Sequence, residues 1–271
     1  MVTGAASGIG LHLAEQFARR GVHIVLADVE KEPLAAARGR VAAAAAAGVD
    51  VISHAVDVSD ARAMIDLAAM VADELGQVAI LCNNAGVVGP RVPLWEQEEA
   101  DFRWVLDVNL WGVINGLRAF VPEMVRAGQG HIVNTASIAA LTTIRGGGNA
   151  PYAASKHAVA GLSEVLREDL SVAGLDIGVS VLCPGPVVTN IRDAARNRPG
   201  PLERSAHETS VAPTFTHAVE AIQPDVAARL TLDAIEHDRF WILTNPGNEA
   251  EARDRLESIL HELSKPASAG A

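Results

Sequence analysis

The sequence predicts an α/β protein: a doubly wound parallel sheet in a single domain, with its first strand cut short. Three observations carry that expectation. Apolar runs of strand length alternate with helical stretches of ~10 to 20 residues along most of the chain. A glycine-rich turn opens the alternation, where a ligand-binding crevice of such a sheet begins. At 271 residues and 49% hydrophobic content, the chain can bury one large sheet under helices, and α/β chains of this size often stay undivided.

Taken in order, the turn from Gly4 to Gly10 leads into a helix over 11–20 that stops at Gly21. A strand over 22–28 follows, then a helix over 30–47. Its alanine run needs no functional explanation, because alanine has the highest helix propensity, and Gly48 ends it. The alternation continues with a strand over 51–56, a helix over 61–75, a strand over 78–82, a long helical stretch over 98–127 and a strand over 131–136. A helix over 152–172 and a strand over 177–182 come next. Pro184, Pro186, Pro199, Pro201 and Pro213 then break the pattern into a long irregular loop, with the substrate-loop region placed at about 190–222. A helix over 224–236, a short strand over 240–243 and an amphipathic helix over 249–263 close the domain. Residues 1–265 are expected to form it, with 266–271 as a flexible tail.

Composition narrows the partners. The net charge of -11 has no compensating Lys/Arg cluster, so neither nucleic acid nor an anionic membrane surface is expected. No run approaches the ~18 apolar residues of a membrane span. Cys82 and Cys183 each sit in an apolar run and read as buried, reduced thiols, and no basic-then-apolar leader opens the chain. A cytoplasmic protein with a small-molecule partner and no metal site is the expectation.

Chemistry is sought in the loops after the strands, beyond whose carboxyl ends such sheets bind ligands. In Thr3-Gly4-Ala5-Ala6-Ser7-Gly8-Ile9-Gly10 the glycines let the backbone approach a pyrophosphate at a helix N-terminus. The spacing is not G-x-G-x-x-G, and a glycine turn with no ligand is the competing reading. Asp28 ends the second strand 18 residues after Gly10, close to the ~20 expected for the acid that binds both adenosine ribose hydroxyls. The third strand runs into Asp57-Val58 and the fourth into Asn83-Asn84-Ala85-Gly86. Each alone is ordinary turn material. Together they line one edge, with Asp57 placed for an adenine amino group and Ala85-Gly86 offering a flat surface to the adenosine. The cofactor expected is NAD, because Asp28 repels a 2′-phosphate and neither Ser7 nor Val29 supplies a positive charge.

The strand over 131–136 runs out at Ser137. The next helix opens with Tyr152, the only tyrosine, and Lys156, four positions on and therefore on the same face. An ammonium beside a phenol favours phenolate, so Lys156 is expected to lower the Tyr152 pKa toward a working acid/base value. A packing tyrosine with a solvated lysine is the bland alternative.

The glycine loop, NNAG, the serine after the fifth strand and Tyr-x-x-x-Lys, in this order, resemble the short-chain dehydrogenase/reductase family over about residues 1–189. The resemblance implies a Rossmann-like fold and hydride transfer between a nicotinamide cofactor and an alcohol or ketone. It implies that Asn109 completes a tetrad and holds the lysine through a water. Ser137 polarises the substrate oxygen, Tyr152 exchanges the proton, and Lys156 binds the nicotinamide ribose. The loop Pro184-Gly185-Pro186-Val187-Val188-Thr189 resembles the family's segment beneath the nicotinamide, with the Val187 backbone and the Thr189 hydroxyl as contacts. A homodimer or homotetramer through the long helices follows from the same resemblance.

Two departures stand out. Ser137 and Tyr152 lie two positions further apart than is usual in that family, with Gly146-Gly147-Gly148 between them, and only Met1 and Val2 precede Thr3. A chain extended by an apolar strand of about five residues before Met1 is expected to melt higher. Loops over 87–95, 138–150 and 190–216 carry apolar content and few charges, which points to a mainly apolar or aromatic secondary alcohol or ketone. The stretches LDVNLWGVINGLRAFVPEM and GVSVLCPGPVVTNI look similar to bacterial members acting on bulky aromatic alcohols, lignin-derived ones included. A non-catalytic nucleotide sensor or scaffold of the same fold is the alternative, and the intact Tyr152-Lys156 pair argues against it.

Overall fold

The computed structural model describes residues 1–142, 147–200 and 219–265. The first half runs β1 (Val2–Thr3), α1 (Gly8–Arg19), β2 (Ile24–Asp28), α2 (Lys31–Ala44), β3 (Val51–Ala55), α3 (Ala61–Leu75) and β4 (Ile80–Asn83). The second runs α4 (Glu99–Leu106), α5 (Gly112–Ala127), β5 (Gln129–Thr135), α6 (Ala150–Val172), β6 (Asp176–Cys183), α7 (Pro224–Glu236), β7 (Trp241–Leu243) and α8 (Asn248–Leu263).

The seven strands form one sheet in the order β3-β2-β1-β4-β5-β6-β7, and every pairing is parallel. The chain winds outward from β1 to β3, then returns to β4 on the other side of β1. A crevice opens beyond the carboxyl ends at that reversal. Alternate strand residues face opposite ways, which sorts the core into two layers. Ile24 and Leu26 of β2 pack with Leu13 and Phe17 of α1, Leu34 and Val41 of α2 and Leu232 of α7. Val25 and Ala27 of the same strand pack with Met64 and Leu67 of α3, Phe120 and Met124 of α5 and Val159 of α6. Leu13, Leu26, Met64 and Leu81 are fully buried, so truncating any of them to alanine is expected to cost ~2 to 5 kcal/mol.

The central strand β1 is as short as the sequence suggested: two residues, tied to β4 by the Cys82 amide donating to the Met1 carbonyl at 2.9 Å. A cavity of about 210 Å³ lies beneath it, between the starts of β2 and β4.

Three expectations need correction. The helical stretch over 98–127 is broken by a π turn, Asp107–Trp111, between α4 and α5. The widened turn accommodates an extra residue, and helical propensity alone does not register it. The helix expected over 30–47 ends at Ala44, because Ala45 turns extended and the Ala46 amide donates to the Ala18 carbonyl instead of continuing the helix. The loop expected to be irregular opens with a 3-10 stretch, Asn190–Asn197. Residues 266–271, most of the loop beyond Gly200, and 143–146 of the segment before α6, for which the sequence also carried expectations, lie outside the described residues. No helix among the described residues is long and apolar enough to cross a membrane.

Candidate active site

A cavity of about 530 Å³ occupies the crevice, and the ends of β1, β2, β4, β5 and β6 all reach it. At one end the wall is the turn from β1 into α1. Gly4 holds φ +62°, and a Cβ there would stand 2.7 Å from the Ala85 Cα. Gly10 has no such freedom to explain it; its Cβ would fall 2.3 Å from the Gly4 carbonyl oxygen. Thr3 Oγ1 accepts the Asn84 and Ala85 amides at 2.9 and 3.0 Å, and Asn84 Nδ2 donates to the Thr3 carbonyl at 3.0 Å. The two strand ends are thereby locked into one surface. Asp28 accepts the Ala6 amide on Oδ2 at 2.9 Å and the Glu30 amide on Oδ1 at 3.0 Å. Burial outweighs these bonds and pushes its carboxyl above the usual range. Asp57 and Val58 line the same end, Asp57 Oδ1 accepting the Ser59 amide and hydroxyl.

At the other end Ser137, Tyr152 and Lys156 meet. Ser137 Oγ stands near enough to the Tyr152 phenol to oppose its upward shift; it accepts the Ala139 amide at 3.1 Å and donates to the Pro184 carbonyl at 3.5 Å. Lys156 is 2% exposed; its Nζ donates to the Thr135 carbonyl at 2.8 Å and stands 5.7 Å from the centre of the Tyr152 ring. Burial brings the Lys156 ammonium down to about 8. The Tyr152 phenol is pushed up, by burial first, with the Ser137 bond opposing. Burial therefore sets the direction of the phenol's shift, and Lys156, hydrogen-bonded to the Thr135 carbonyl, is not among the groups that oppose it.

The floor is the loop after β6. Pro184, Gly185, Val187 and Thr189 all line the cavity. Val187 bridges Ile222 through the Val188 amide and the Pro186 carbonyl, so its own peptide groups stay outside that bridge. Asn245, at the end of β7, holds this loop: Oδ1 accepts the Gly185 amide at 3.0 Å, and Nδ2 donates to the Pro186 and Glu220 carbonyls at 2.8 Å each.

Gly4, Ser7, Gly8, Ile9, Asp28, Asp57, Val58, Asn84, Ala85, Gly86, Ser137, Tyr152 and Lys156 thus share one cavity with the β6 loop, as their placement after successive strands suggested. Gly10 and Asn109 do not line it. Gly10 serves the close approach of α1 to the loop. Asn109 sits in the π turn, fully buried. Its Oδ1 accepts the Val87 amide at 2.7 Å, and its Nδ2 donates to the Val87 carbonyl at 2.9 Å and to Ser155 Oγ at 3.1 Å. It still approaches the lysine, since a Cβ on Gly86 would lie 3.4 Å from both Asn109 Oδ1 and Lys156 Nζ.

Sequence reading missed several residues. Asn245 follows the last strand, where the search for strand-end polar groups could have found it. Trp104 packs with Tyr152 and with Val87 and Ala194, the last two from loops expected to face the substrate, into an apolar wall. Arg196 lines the Asp28 end, its Nε and Nη2 on the Glu30 carboxylate at 2.7 and 2.8 Å, so a positive charge the sequence did not place there comes from the loop after β6. Nothing local in the sequence marks that pair.

The cavity fits a dinucleotide: side-chain-free walls at Gly4 and Gly8, an α-helix N-terminus, and an acid at the β2 end. No group of His, Cys, Asp and Glu among the described residues could hold a metal ion.

A family model described as short chain dehydrogenase matches residues 1–200. The chain is 38% identical over 267 residues to 1-deoxy-11-beta-hydroxypentalenate dehydrogenase of Streptomyces avermitilis, covering 98% of this chain and 91% of that one. A short chain dehydrogenase/reductase from Burkholderia phymatum, solved in complex with NAD, superposes with a TM-score of 0.84 at 38% identity, covering 98% of this chain and 96% of that one. A short-chain dehydrogenase from Sphingobium yanoikuyae, solved in complex with NADPH, superposes with a TM-score of 0.75 at 26% identity, covering 100% and 96%.

Proposed function

The chain belongs to the short-chain dehydrogenase family, and from that premise we propose that it is an NAD-preferring alcohol dehydrogenase or ketone reductase for a mainly apolar or aromatic secondary alcohol. The observation that carries the reading is the convergence of Ser137, Tyr152 and Lys156 on the same cavity as Asp28 and the Gly4–Gly8 turn. A nicotinamide ring, when bound, accepts or supplies the hydride.

The chain's own residues handle the oxygen and its proton. Ser137 Oγ, already beside the phenol, donates a hydrogen bond to the substrate oxygen. Tyr152 gives its proton to a ketone oxygen in reduction and takes the hydroxyl proton in oxidation. With its phenol pushed up by burial, Tyr152 stands protonated at neutral pH, the form that reduction needs. Lys156 reaches the cofactor ribose from its seat on the Thr135 carbonyl. The Trp104, Val87 and Ala194 wall against Tyr152 supports an apolar substrate, and Asp28 supports NAD. The free, buried Cys82 and Cys183 suit a reducing compartment, the cytoplasm.

Purified protein assayed with NAD and NADP against secondary and benzylic alcohols, followed by cofactor absorbance, tests this. Turnover with NAD on at least one such alcohol is expected. Equal kcat/KM with both cofactors would refute the NAD preference, and no turnover in either direction across the panel would refute the enzyme.

A further inference from the structure

Beside Asp28 the structure places one charge from the same loop and one from a distant part of the chain. Glu30 is joined to Asp28 through its own amide, which donates to Asp28 Oδ1 at 3.0 Å. Its carboxylate is gripped bidentately by Arg196 at 2.7 and 2.8 Å. Both side chains line the cavity at the Asp28 end. The guanidinium is fixed from behind as well, because its Nη1 donates to the Asp193 carbonyl at 2.8 Å and the Asn190 carbonyl at 3.3 Å. Glu30 first, with Asp193 and Asp28 adding to it, holds the guanidinium charged.

We propose that Arg196 is a coenzyme-selectivity residue, a guanidinium that Glu30 holds occupied and thereby withholds from a 2′-phosphate beside Asp28. This rests on reading the cleft as a nicotinamide dinucleotide site. Asp28 and Glu30 contribute two negative charges at the end of β2, and Arg196 cancels one. A 2′-phosphate brings about two more at neutral pH. There the Arg196 fork is already paired in the geometry a phosphate would use, and the Asp28 and Glu30 carboxylates repel the incoming charge. Neutralising Glu30 frees that fork and removes a repelling charge. Removing Arg196 instead leaves both carboxylates uncompensated.

The two substitutions break the same ion pair, yet they push selectivity in opposite directions. A pair that merely pins the 190–197 segment to the β2 loop would shift both coenzymes alike, whichever partner was lost. The discriminating measurement is titration calorimetry of NADH and NADPH on the intact protein and on Glu30→Gln, Arg196→Gln and the double variant. Glu30→Gln is expected to improve the NADPH to NADH affinity ratio by about fivefold, the upper end for a solvent-screened ion pair. Arg196→Gln is expected to worsen the ratio by a similar factor, and the double variant to lose the gain of Glu30→Gln. Ratios that move in the same direction in both single variants, do not move, or keep the gain without Arg196 overturn the assignment while leaving the dinucleotide site standing. If neither dinucleotide binds the unmodified protein, the site reading fails and this one with it.

Discussion

At the Asp28 end of the cleft the surface is set by glycine turns and strand-end amides, with the Asp28 carboxylate already holding two N–H groups and the Glu30–Arg196 pair beside it. At the Tyr152 end it is side chains, drawn from β5, the segment after it and α6, with a half-buried tyrosine beside a deeply buried ammonium. The backbone end is defined by atoms that must be absent, since a Cβ at Gly4 or Gly10 has nowhere to go. The reactive end is defined by groups whose titration burial shifts, the phenol pushed up and so held neutral, the ammonium brought down to about 8. One end buys close approach with sterics, and the other prepares proton transfer with desolvation.

Changes confined to one end should therefore spare the other. Tyr152→Phe, which keeps the ring against Trp104 and loses only the hydroxyl, is expected to cut kcat by ~10² to 10⁴-fold with NADH affinity nearly unchanged. Steady-state rates beside a binding titration check this, and retention of more than about a tenth of the activity would break the assignment. Asp28→Ala should act at the other end only. A like charge at ~4 Å is unfavourable by about 4 kcal/mol at an effective dielectric of ~20, before relaxation and screening. NADP use should thus rise by about tenfold or more, and no gain in kcat/KM for NADP would count against Asp28 as the ribose ligand.

Gly10→Ala sharpens the steric half of the contrast. Its added carbon meets the Gly4 carbonyl oxygen and Asn84 Nδ2, so the turn must shift at a cost of ~1 to 3 kcal/mol. A lower denaturation midpoint together with weaker dinucleotide binding is expected, and a melting temperature equal to the parent's would remove the steric argument.

The most gradual effect concerns the buried lysine. Its pKa is about 8 in the fold against an ordinary 10.5, so between those values the unfolded chain holds a proton that the native state has released. Stability from this group therefore rises with pH across that window, by at most ~1.4 kcal/mol per pH unit, and the cost of burying the charge is complete below it. Lys156→Met removes the titration. Relative to the parent, the variant should be most favoured below pH 8 and lose ground toward 10.5 in urea melts, and a pH-independent difference would show that the ammonium is not strained by burial.

Much of this molecule was legible because some signals are local. The strand and helix alternation, the glycine turn, the spacing from Gly10 to Asp28 and the four-residue step from Tyr152 to Lys156 all follow from backbone sterics and helical or extended periodicity, which act over neighbouring residues. The parallel sheet then carries the strand ends to one edge, so placing the candidate residues there needed no further information. What only the tertiary structure decided involves pairs with no periodic imprint. Asn109 takes its partners from Val87 and Ser155 across a π turn, Asn245 reaches back to Gly185, and Arg196 finds Glu30 across 166 residues of chain. The same holds for the protonation of Tyr152. Four positions along a helix bring an ammonium near a phenol, but how deeply both are buried, and that Thr135 takes the ammonium's hydrogen bond, depends on the whole fold closing over them, because desolvation is set by surroundings rather than by spacing.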